Sequence, residues 1–592
     1  MPQPAPPKAS SDTGFRQTPP VLHNQYEDDI ALQQVLQRLI PNAIMNEIEP
    51  DLHQFGHRVI TDIQAMGEDV ENPNHYPRLK QYDAWCRRID EISVAQGWKD
   101  LNVVAAEEGI VSIGYERKYG EFSRLYQFAK GYLYSPSAAV YTCPLSMTDG
   151  AARVMELYGT DEMKATILPD LMSRDPKQFK NCSQFMTERP GGSDVSRTET
   201  QAELVDAKTN TWKLTGFKWF SSATTADMTL ALARVVDPNT GMVEPGSKGL
   251  GLFLARMRNP DGQLNGVRVH RLKDKFGTKG LPTAELELVG MEAQLVGPPG
   301  RGVPTIASVL NITRIYSAIG VTCGLRRCLA IVKDFALKRE SGKRTLDKIP
   351  LHITTLAKLE VVFRACLQFS FYVVHLLGRT ETIKDNEEDM EILRLLTPVA
   401  KAYVCKIGVL HICEAMEAMG GQGYMEEIGI GQHLRNSIVN NIWEGTTNIL
   451  ALDVLRVLQK SKGGALKSFV RVMTTKLTKA QAANPATLGP IAQTIQQVLA
   501  RTAQSIASVQ DAVQVETSMR QVTFALGRIV CAVLLLEQAA WAYETKSDAY
   551  EQDLTAVTHW VQDVEFAQPV VPHNKAAVLQ DAKLVFGPNA KL

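Results

Sequence analysis

Between Asn441 and Leu455 the chain reads NIWEGTTNILALDVL, with the carboxylate of Glu444 set between a large aromatic, Trp443, and a Gly-Thr-Thr turn. Ile449, Leu450, Leu452, Val454 and Leu455 follow at helical period, so the carboxylate lies just ahead of a helix. Taken alone, a Glu in that place is ordinarily a solvated cap residue. A second stretch, FMTERPGGSDVSRT from Phe185 to Thr198, offers different chemistry. Pro190, Gly191 and Gly192 make a loop whose backbone amides can approach a ligand closely, and Thr187 and Ser193 place hydroxyls on its two sides. The strand-like run TWKLTGFKWFSSATTADMTLALARV comes next. Gly216 breaks its pattern, and Trp219, Phe220, Ser221 and Ser222 supply aromatic faces and hydroxyls.

Loop, hairpin and distant carboxylate, in that order, resemble the acyl-CoA dehydrogenase family, most closely its AidB branch. The blocks TERPGGSD, GFKWFSS, LKDKFGTKG, AMEAMGGQGY, LRNS and WEGTTNILALDVLRVL carry the resemblance from about Cys143 to Gln459. It implies an α+β acyl-CoA dehydrogenase fold: an N-terminal helical domain, a middle β-barrel-like domain, a C-terminal helical bundle and an extra C-terminal helical domain. The activity it implies is FAD-dependent α,β-desaturation of a fatty-acyl or related CoA thioester, with no metal. The α proton of a thioester is weakly acidic and needs a carboxylate within hydrogen-bond reach, while the β hydrogen leaves as hydride to flavin N5. Glu444 takes the place of the family's base. Its own N–H is expected to bind the thioester carbonyl together with a flavin ribityl hydroxyl, stabilising the developing enolate as an oxyanion hole does.

The same resemblance assigns cofactor contacts. Met186, Thr187 and Ser193 match the flavin loop, Ser222 a hydroxyl near flavin N5, and Phe220 the place of a Trp found in many relatives. Trp443, Gly445, Thr446 and Asn448 flank the base on its cofactor-binding turn. Gly420, Gly421 and Gly423 match a glycine turn that meets the FAD diphosphate of the neighbouring subunit, and Arg339 an arginine that also reaches across. Two sets of contacts on different subunits imply a homodimer or homotetramer. One departure bears on this: Gly342 and Lys343 stand where many relatives have Phe and Gly, so the cross-subunit contact is expected to be rearranged. Glu417, where many relatives have Gln, is shared with the AidB branch.

The elements that must position these residues are read from pattern. With 592 residues, 44% of them hydrophobic, the chain can bury the cores of several domains. Residues 1–25, rich in proline at their start, are expected to be a disordered tail, and 26–181 a helical domain containing LQQVLQRLI and MTDGAARVMELYG. Short alternating runs such as GLGLFLARM and AELELVG place the β domain at 182–295. Long periodic segments place the helical bundle at 296–460, the extra helical domain at 461–586 and a targeting tail at 587–592. In QVTFALGRIVCAVLLLEQAAWAY the longest uncharged run considered, Ile529–Leu536, is too short for a bilayer, so no transmembrane segment is expected. The nine cysteines form no CxxC pair or Cys/His ligand spacing, which predicts reduced thiols.

Lys plus Arg and Asp plus Glu each number 64, which leaves no global field for nucleic acid or an anionic membrane. Because the AidB branch is linked to DNA alkylation damage, an alternative reading is a weakly active flavoprotein that binds nucleic acid or protects against alkylation. Residues 461–592, however, carry twelve Lys and Arg against ten Asp and Glu, and the basic stretch 461–480 alternates with an apolar stripe, as a solvated helix face does. A third reading is an acyl-CoA oxidase; the pattern leaves the electron acceptor open between an electron-transfer flavoprotein and oxygen. The final Ala590-Lys591-Leu592 resembles the tripeptide read by the peroxisomal import receptor. Family and tripeptide together resemble fungal peroxisomal proteins of fatty-acid breakdown or of toxin and other secondary-metabolite biosynthesis. A fluorescent reporter carrying the last few residues is expected to become punctate, and to turn diffuse without Leu592. Diffuse signal in both removes the peroxisomal expectation.

Overall fold

The computed structural model describes residues 8–509 and 511–591; the first seven residues of the expected tail and Leu592 of the targeting tripeptide lie outside the described residues. The N-terminal unit comprises α1 (Ile30–Leu39), α2 (Asn42–Arg58), α3 (Asp62–Glu71), the hairpin β1 (Arg78–Tyr82) and β2 (Arg88–Ser93), then α4 (Gln96–Glu107), α5 (Ser112–Glu116), α6 (Ser123–Tyr134), α7 (Thr142–Tyr158) and α8 (Asp161–Leu171). Asp29 caps α1 by accepting the Leu32 N–H at 3.0 Å. The same buried carboxylate accepts from the Tyr132 hydroxyl and pairs with Arg326, tying the first helix to later ones.

Two features differ from expectation. The chain is held from Gln17 onward, inside the stretch expected to be a disordered tail. Lys338 Nζ donates to the Pro19 carbonyl, the Val21 N–H donates to Asp334, and Gln25 accepts from Arg326. A proline-rich extended segment makes no ladder of its own, so its free carbonyls and amides are satisfied by a neighbouring helix. The second is the hairpin inside a domain read as helical. It reaches over to the β domain through side chains: Asp90 accepts the Val269 N–H at 2.9 Å, and Gln81 and Arg88 donate to the Val269 carbonyl.

The β domain contains β3 (Cys182–Phe185), β4 (Gln201–Asp206), β5 (Thr211–Ser222), β6 (Met228–Val235), β7 (Leu250–Arg256), β8 (Val267–Leu272) and β9 (Thr283–Val296). Strands β6, β4, β5, β9 and β7 pair in turn, and β7 returns to β6, which closes the barrel; β3 lies parallel on β6 and β8 antiparallel on β9. Its interior is filled by Phe185, Trp212, Leu214, Phe253, Leu286, Leu288 and Met291. The β5–β9 register shifts between Lys218 and Ser221, a bulge that takes Trp219 and Phe220 out of the ladder.

The bundle follows as α9 (Gly302–Lys338), a hairpin of β10 (Glu340–Ser341) and β11 (Arg344–Thr345), α10 (Pro350–Thr382), α11 (Glu387–Ala418), α12 (Ile430–Ile438) and α13 (Thr447–Lys460). The departure noted at Gly342 and Lys343 is a tight two-residue turn, with φ of 58° and 69°, as a type I′ hairpin requires. The extra domain adds α14 (Gly464–Ala483), α15 (Pro485–Ser508), α16 (Ala512–Glu544), α17 (Tyr550–Gln562) and α18 (Lys575–Phe586). Among the described residues four helices, α9, α10, α11 and α16, are long and apolar enough to cross a membrane by length and composition, and 78–89% of each apolar window is buried within the protein.

Helix α16 approaches α11 so closely that a Cβ at Gly527 would lie 2.6 Å from the Tyr403 ring. Open space surrounds Gly489 on α15. Helix propensity favours Ala over Gly by about 1 kcal/mol at both positions, but overpacking against a buried ring costs about 1–3 kcal/mol. Gly527→Ala is therefore expected to lower the melting temperature and Gly489→Ala to hold or raise it. Equal shifts in thermal unfolding would contradict this packing.

Candidate functional site

Glu444 lies in the short turn before α13, at φ 57°, followed by Gly445 at φ 104°. For a residue with a Cβ the left-handed region costs about 1–2 kcal/mol, so the surroundings must hold it. Two cations do so by gripping backbone carbonyls. Arg314 Nε of α9 donates to the Glu444 carbonyl at 3.2 Å, and Lys401 Nζ of α11 donates to the Gly445 carbonyl. Asp453, one and a half turns into α13, accepts from Arg314 at 2.8 Å and from Arg394 at 2.6 Å, so one carboxylate bridges the two guanidiniums.

The residue is half-buried, and its carboxylate turns inward. Oε1 accepts from Gln184 Nε2 at 2.9 Å and Oε2 from the Thr313 hydroxyl at 2.8 Å. Burial pushes the Glu444 pKa above the ordinary carboxylate range; Thr313, Arg314, Lys401 and Gln184 pull it down without cancelling that push. Each carboxylate oxygen still has a lone pair after these bonds, so the group can take a proton. Lys401, stripped of water, is pulled down to about 8.

The loop of Thr187–Ser193 is anchored from beneath by Glu188. Its buried carboxylate accepts from Lys218 Nζ at 2.6 Å, from the Thr200 hydroxyl and from the Glu199 amide. Burial alone would raise the Glu188 pKa; Lys218, Thr200 and the Glu199 amide outweigh it and hold the carboxyl low. The bulge in β5 frees the Trp219 N–H, which donates to the Thr187 carbonyl at 2.8 Å and joins loop to strand. Phe220 is left 51% exposed beside Trp219, with Lys273 Nζ 3.2 Å from the Trp219 ring centroid. Ser222 and Thr283, a cross-strand pair, lie 3.0 Å apart through their hydroxyls.

Gln184, one residue before Phe185 and two before Met186, thus connects the loop strand to the carboxylate, and Trp443, Gly445 and Thr446 lie on the turn itself. Trp443 is half-buried, its Nε1 donating to Asn440. Asn448 is exposed and accepts from Arg520 of α16 at 2.8 Å, a contact to the extra domain. Arg339 is exposed and its one side-chain bond among the described residues is to Gln17. Gly420, Gly421 and Gly423 form a 3₁₀ turn at the end of α11; no hydrogen bond joins it to the Glu444 turn among the described residues. The two sets expected on different subunits are therefore separate within one chain's bonding.

Several supporting residues escaped the sequence reading: Gln184, Thr313, Arg314, Lys401, Glu188 and Lys218. Lys218 had a signal, since strand alternation puts it on the same inward face as Trp212 and Leu214, where a lysine demands a buried acid. Thr313 lies 131 residues from Glu444, and nothing local marks it. A cavity of about 390 Å³ lies where α4 and α7 face the barrel, lined by Trp98, Asn102, Tyr141, Ala223 and Thr224, directly after Ser222. A larger one of about 640 Å³ lies in the extra domain near the far end of α13, roughly 20 Å from Glu444 by helix length, and Glu444 lines neither.

The polar groups left over fit a planar polar cofactor. Gln184 Oε1, Ser221 Oγ and Asn441 Oδ1 are buried without a partner among the described residues. A Cβ added at Gly191 would meet nothing, so the loop backbone is open to an approaching group, and Phe220 offers an uncovered ring face. Thr187, Ser193, Phe220, Ser222 and the Glu444–Thr446 backbone are the groups that would hold it.

Each domain of the chain matches a known family. Residues 300–459 match the acyl-CoA dehydrogenase C-terminal domain, 183–291 its middle domain, 17–176 the N-terminal domain of the adaptive response protein AidB, and 464–586 the acyl-CoA dehydrogenase 11 C-terminal domain-like family. Acyl-CoA dehydrogenase family member 11 of Caenorhabditis elegans is 40% identical over 538 residues, covering 89% of this chain and 86% of its own. The AidB protein of Escherichia coli (strain K12) is 30% identical over 397 residues, 65% of this chain and 70% of that one. The crystal structure of Caenorhabditis elegans ACDH-11 in complex with C11-CoA superposes with a TM-score of 0.91 at 37% identity, over 99% of this chain and 98% of that one. In fold alone, an acyl-CoA dehydrogenase complexed with FAD from Bacillus anthracis is similar, with a TM-score of 0.66 at 18% identity over 95% and 92% of the two chains. This chain belongs to the acyl-CoA dehydrogenase family, with an AidB-type N-terminal domain and an extra C-terminal helical domain of the ACDH-11 kind.

Proposed function

We propose that this protein is an FAD-dependent acyl-CoA dehydrogenase that forms the α,β double bond of a fatty-acyl CoA thioester. The observation that carries the reading is Glu444, a carboxylate held in a left-handed turn, made more basic by burial, and joined through Gln184 to the strand that leads into the flavin loop. FAD, when bound, supplies the acceptor for two electrons and the β hydrogen. Glu444 takes the α proton onto a carboxylate oxygen, while Gln184 and Thr313 keep that carboxylate oriented and its charge solvated. Its backbone N–H has no acceptor among the described residues and is open to the thioester carbonyl, while Arg314 and Lys401 hold the two carbonyls that follow it in the turn. The C11-CoA bound in the Caenorhabditis elegans relative supports an acyl chain of that size as substrate.

An oligomer is part of the proposal. Beside the glycine turn, Tyr424 is 84% exposed and Met425 49% exposed, apolar surface that suits a second subunit with its cofactor. Against the nucleic-acid reading, two of the basic residues of α14 are already neutralised: Lys476 by Glu537 and Arg471 by Glu388. A peroxisomal address rests on the terminal Ala-Lys-Leu.

Purified protein is expected to be yellow and to sediment well above its 65.4 kDa monomer mass; a colourless monomer that takes up no FAD would overturn the proposal. Glu444→Gln should load FAD normally yet turn over at least about 10²-fold more slowly. In wild type, kcat/KM should fall as pH drops through a pKa above the ordinary carboxylate range, because only the ionised form accepts the proton, and this limb should vanish in the variant. Flavin bleaching by Glu444→Gln at the wild-type rate would place the base elsewhere.

A further inference from the structure

Ser222 ends a line of three polar groups. Lys275 Nζ lies 2.7 Å from the Leu281 carbonyl and 3.0 Å from Thr283 Oγ1, which lies 3.0 Å from Ser222 Oγ. The Ser222–Thr283 bond by itself has no direction, since either hydroxyl could donate. Lys275 supplies one. An ammonium has only protons to give, so Thr283 Oγ1 accepts from Lys275, and among the described residues Ser222 Oγ is the one acceptor within reach of the Thr283 proton. Ser222, accepting there, has its hydroxyl proton left to donate outward.

We propose that Lys275 is a positioning residue that orders this chain and so presents the Ser222 hydroxyl as a donor to the cofactor. The inference rests on the proposed function and on the family resemblance that sets Ser222 near flavin N5, the atom that would receive the substrate's β hydrogen. A hydroxyl donating to that atom makes it a better acceptor; a hydroxyl turned back towards Thr283 does not.

The parts are held in place for the task. Thr283 is buried at 3% exposure, and the β5–β9 ladder sets it opposite Ser222. The loop carrying Lys275 is pinned at its turn, where the Thr278 N–H, at φ 53°, donates to Asn436 of α12 at 2.6 Å. Lys275 has no carboxylate within ion-pair distance among the described residues; Cys143 of α7 and Glu71 of α3 are the acidic groups that face it. Burial pulls Lys275 down to about 8 while Cys143 and Glu71 pull it up, so the donor-only ammonium still predominates at neutral pH. A lysine kept in such a place without an ion-pair partner costs stability, which its role as a donor to Thr283 and Leu281 explains.

The test reads the flavin directly. Protein reconstituted with FAD labelled with ¹⁵N at N5 gives a resonance whose position reports hydrogen bonding at that atom. Ser222→Ala, Thr283→Val and Lys275→Met should each move it in the same direction, towards the unbonded value, and the double variant Lys275→Met/Thr283→Val should move it no further than either alone. Lys275→Arg, still a pure donor, should keep it near wild type. With loss of one neutral hydrogen bond to the reacting atom, kcat should fall about tenfold and KM stay unchanged. If Ser222→Ala moves the resonance but Lys275→Met and Thr283→Val leave it in place, the proposal fails and the assignment of Ser222 stands. If Ser222→Ala leaves it in place, both fail. Should Lys275→Met not take up FAD, Thr283→Val decides, and a wild-type resonance there overturns the chain.

Discussion

The site depends on one strained turn. Glu444 and Gly445 both occupy the left-handed region, which an isolated chain would leave, and two cations from different helices fasten their carbonyls. Arg314 and Lys401 can do this only if α9, α11 and α13 are packed in one register. The register of α9 is set in turn by a buried network: Tyr316, one turn beyond Thr313, donates to Asp149 of α7 at 3.0 Å, and Asp149 also accepts from Arg124 and Tyr115. Opposite charges meet at each step, Asp453 with Arg314 and Arg394, and Arg124 with Asp149 and Glu381. Removing one member of such a buried set costs about 3–5 kcal/mol, far more than the strain it restrains.

On the other side of the carboxylate the barrel solves a different problem, how to present hydroxyls and aromatic faces at a rim. The bulge between Lys218 and Ser221 does it by taking two residues out of register, so Phe220 faces outward and Trp219 bonds the flavin loop. Lys218, still inward, meets Glu188 and fixes the loop from below. Gln184 closes the circuit between the halves, since one amide touches the carboxylate and belongs to the strand that leads into the loop.

Much of this was legible in the sequence. The helical stripe after Glu444, the glycine loop, the alternating strands and the three long periodic segments each encode local structure, and local structure is what composition and spacing report. The residues that were not legible act at long range. Thr313, Arg314 and Lys401 look like ordinary polar positions in apolar helices, and their meaning appears only when helices far apart in sequence are packed side by side. The hairpin β1–β2 was hidden for a related reason, because side-chain bonds to β8 hold it and its own strands show little apolar alternation. Composition argued for disorder in the proline-rich start, while the side chains of Lys338 and Asp334 on α9 meet the Pro19 carbonyl and the Val21 amide and give the segment from Gln17 a place to bind.

The central claim is that Glu444, held in this turn, removes the α proton of a thioester. The most direct measurement separates that step from electron transfer. An acyl-CoA analogue blocked at the β carbon cannot be desaturated, so incubation in D₂O reports α-proton exchange alone, followed by NMR at the α carbon. The account predicts exchange catalysed by the wild-type holoenzyme and its loss in Glu444→Gln with the flavin still bound. Exchange at the wild-type rate in the variant would contradict it.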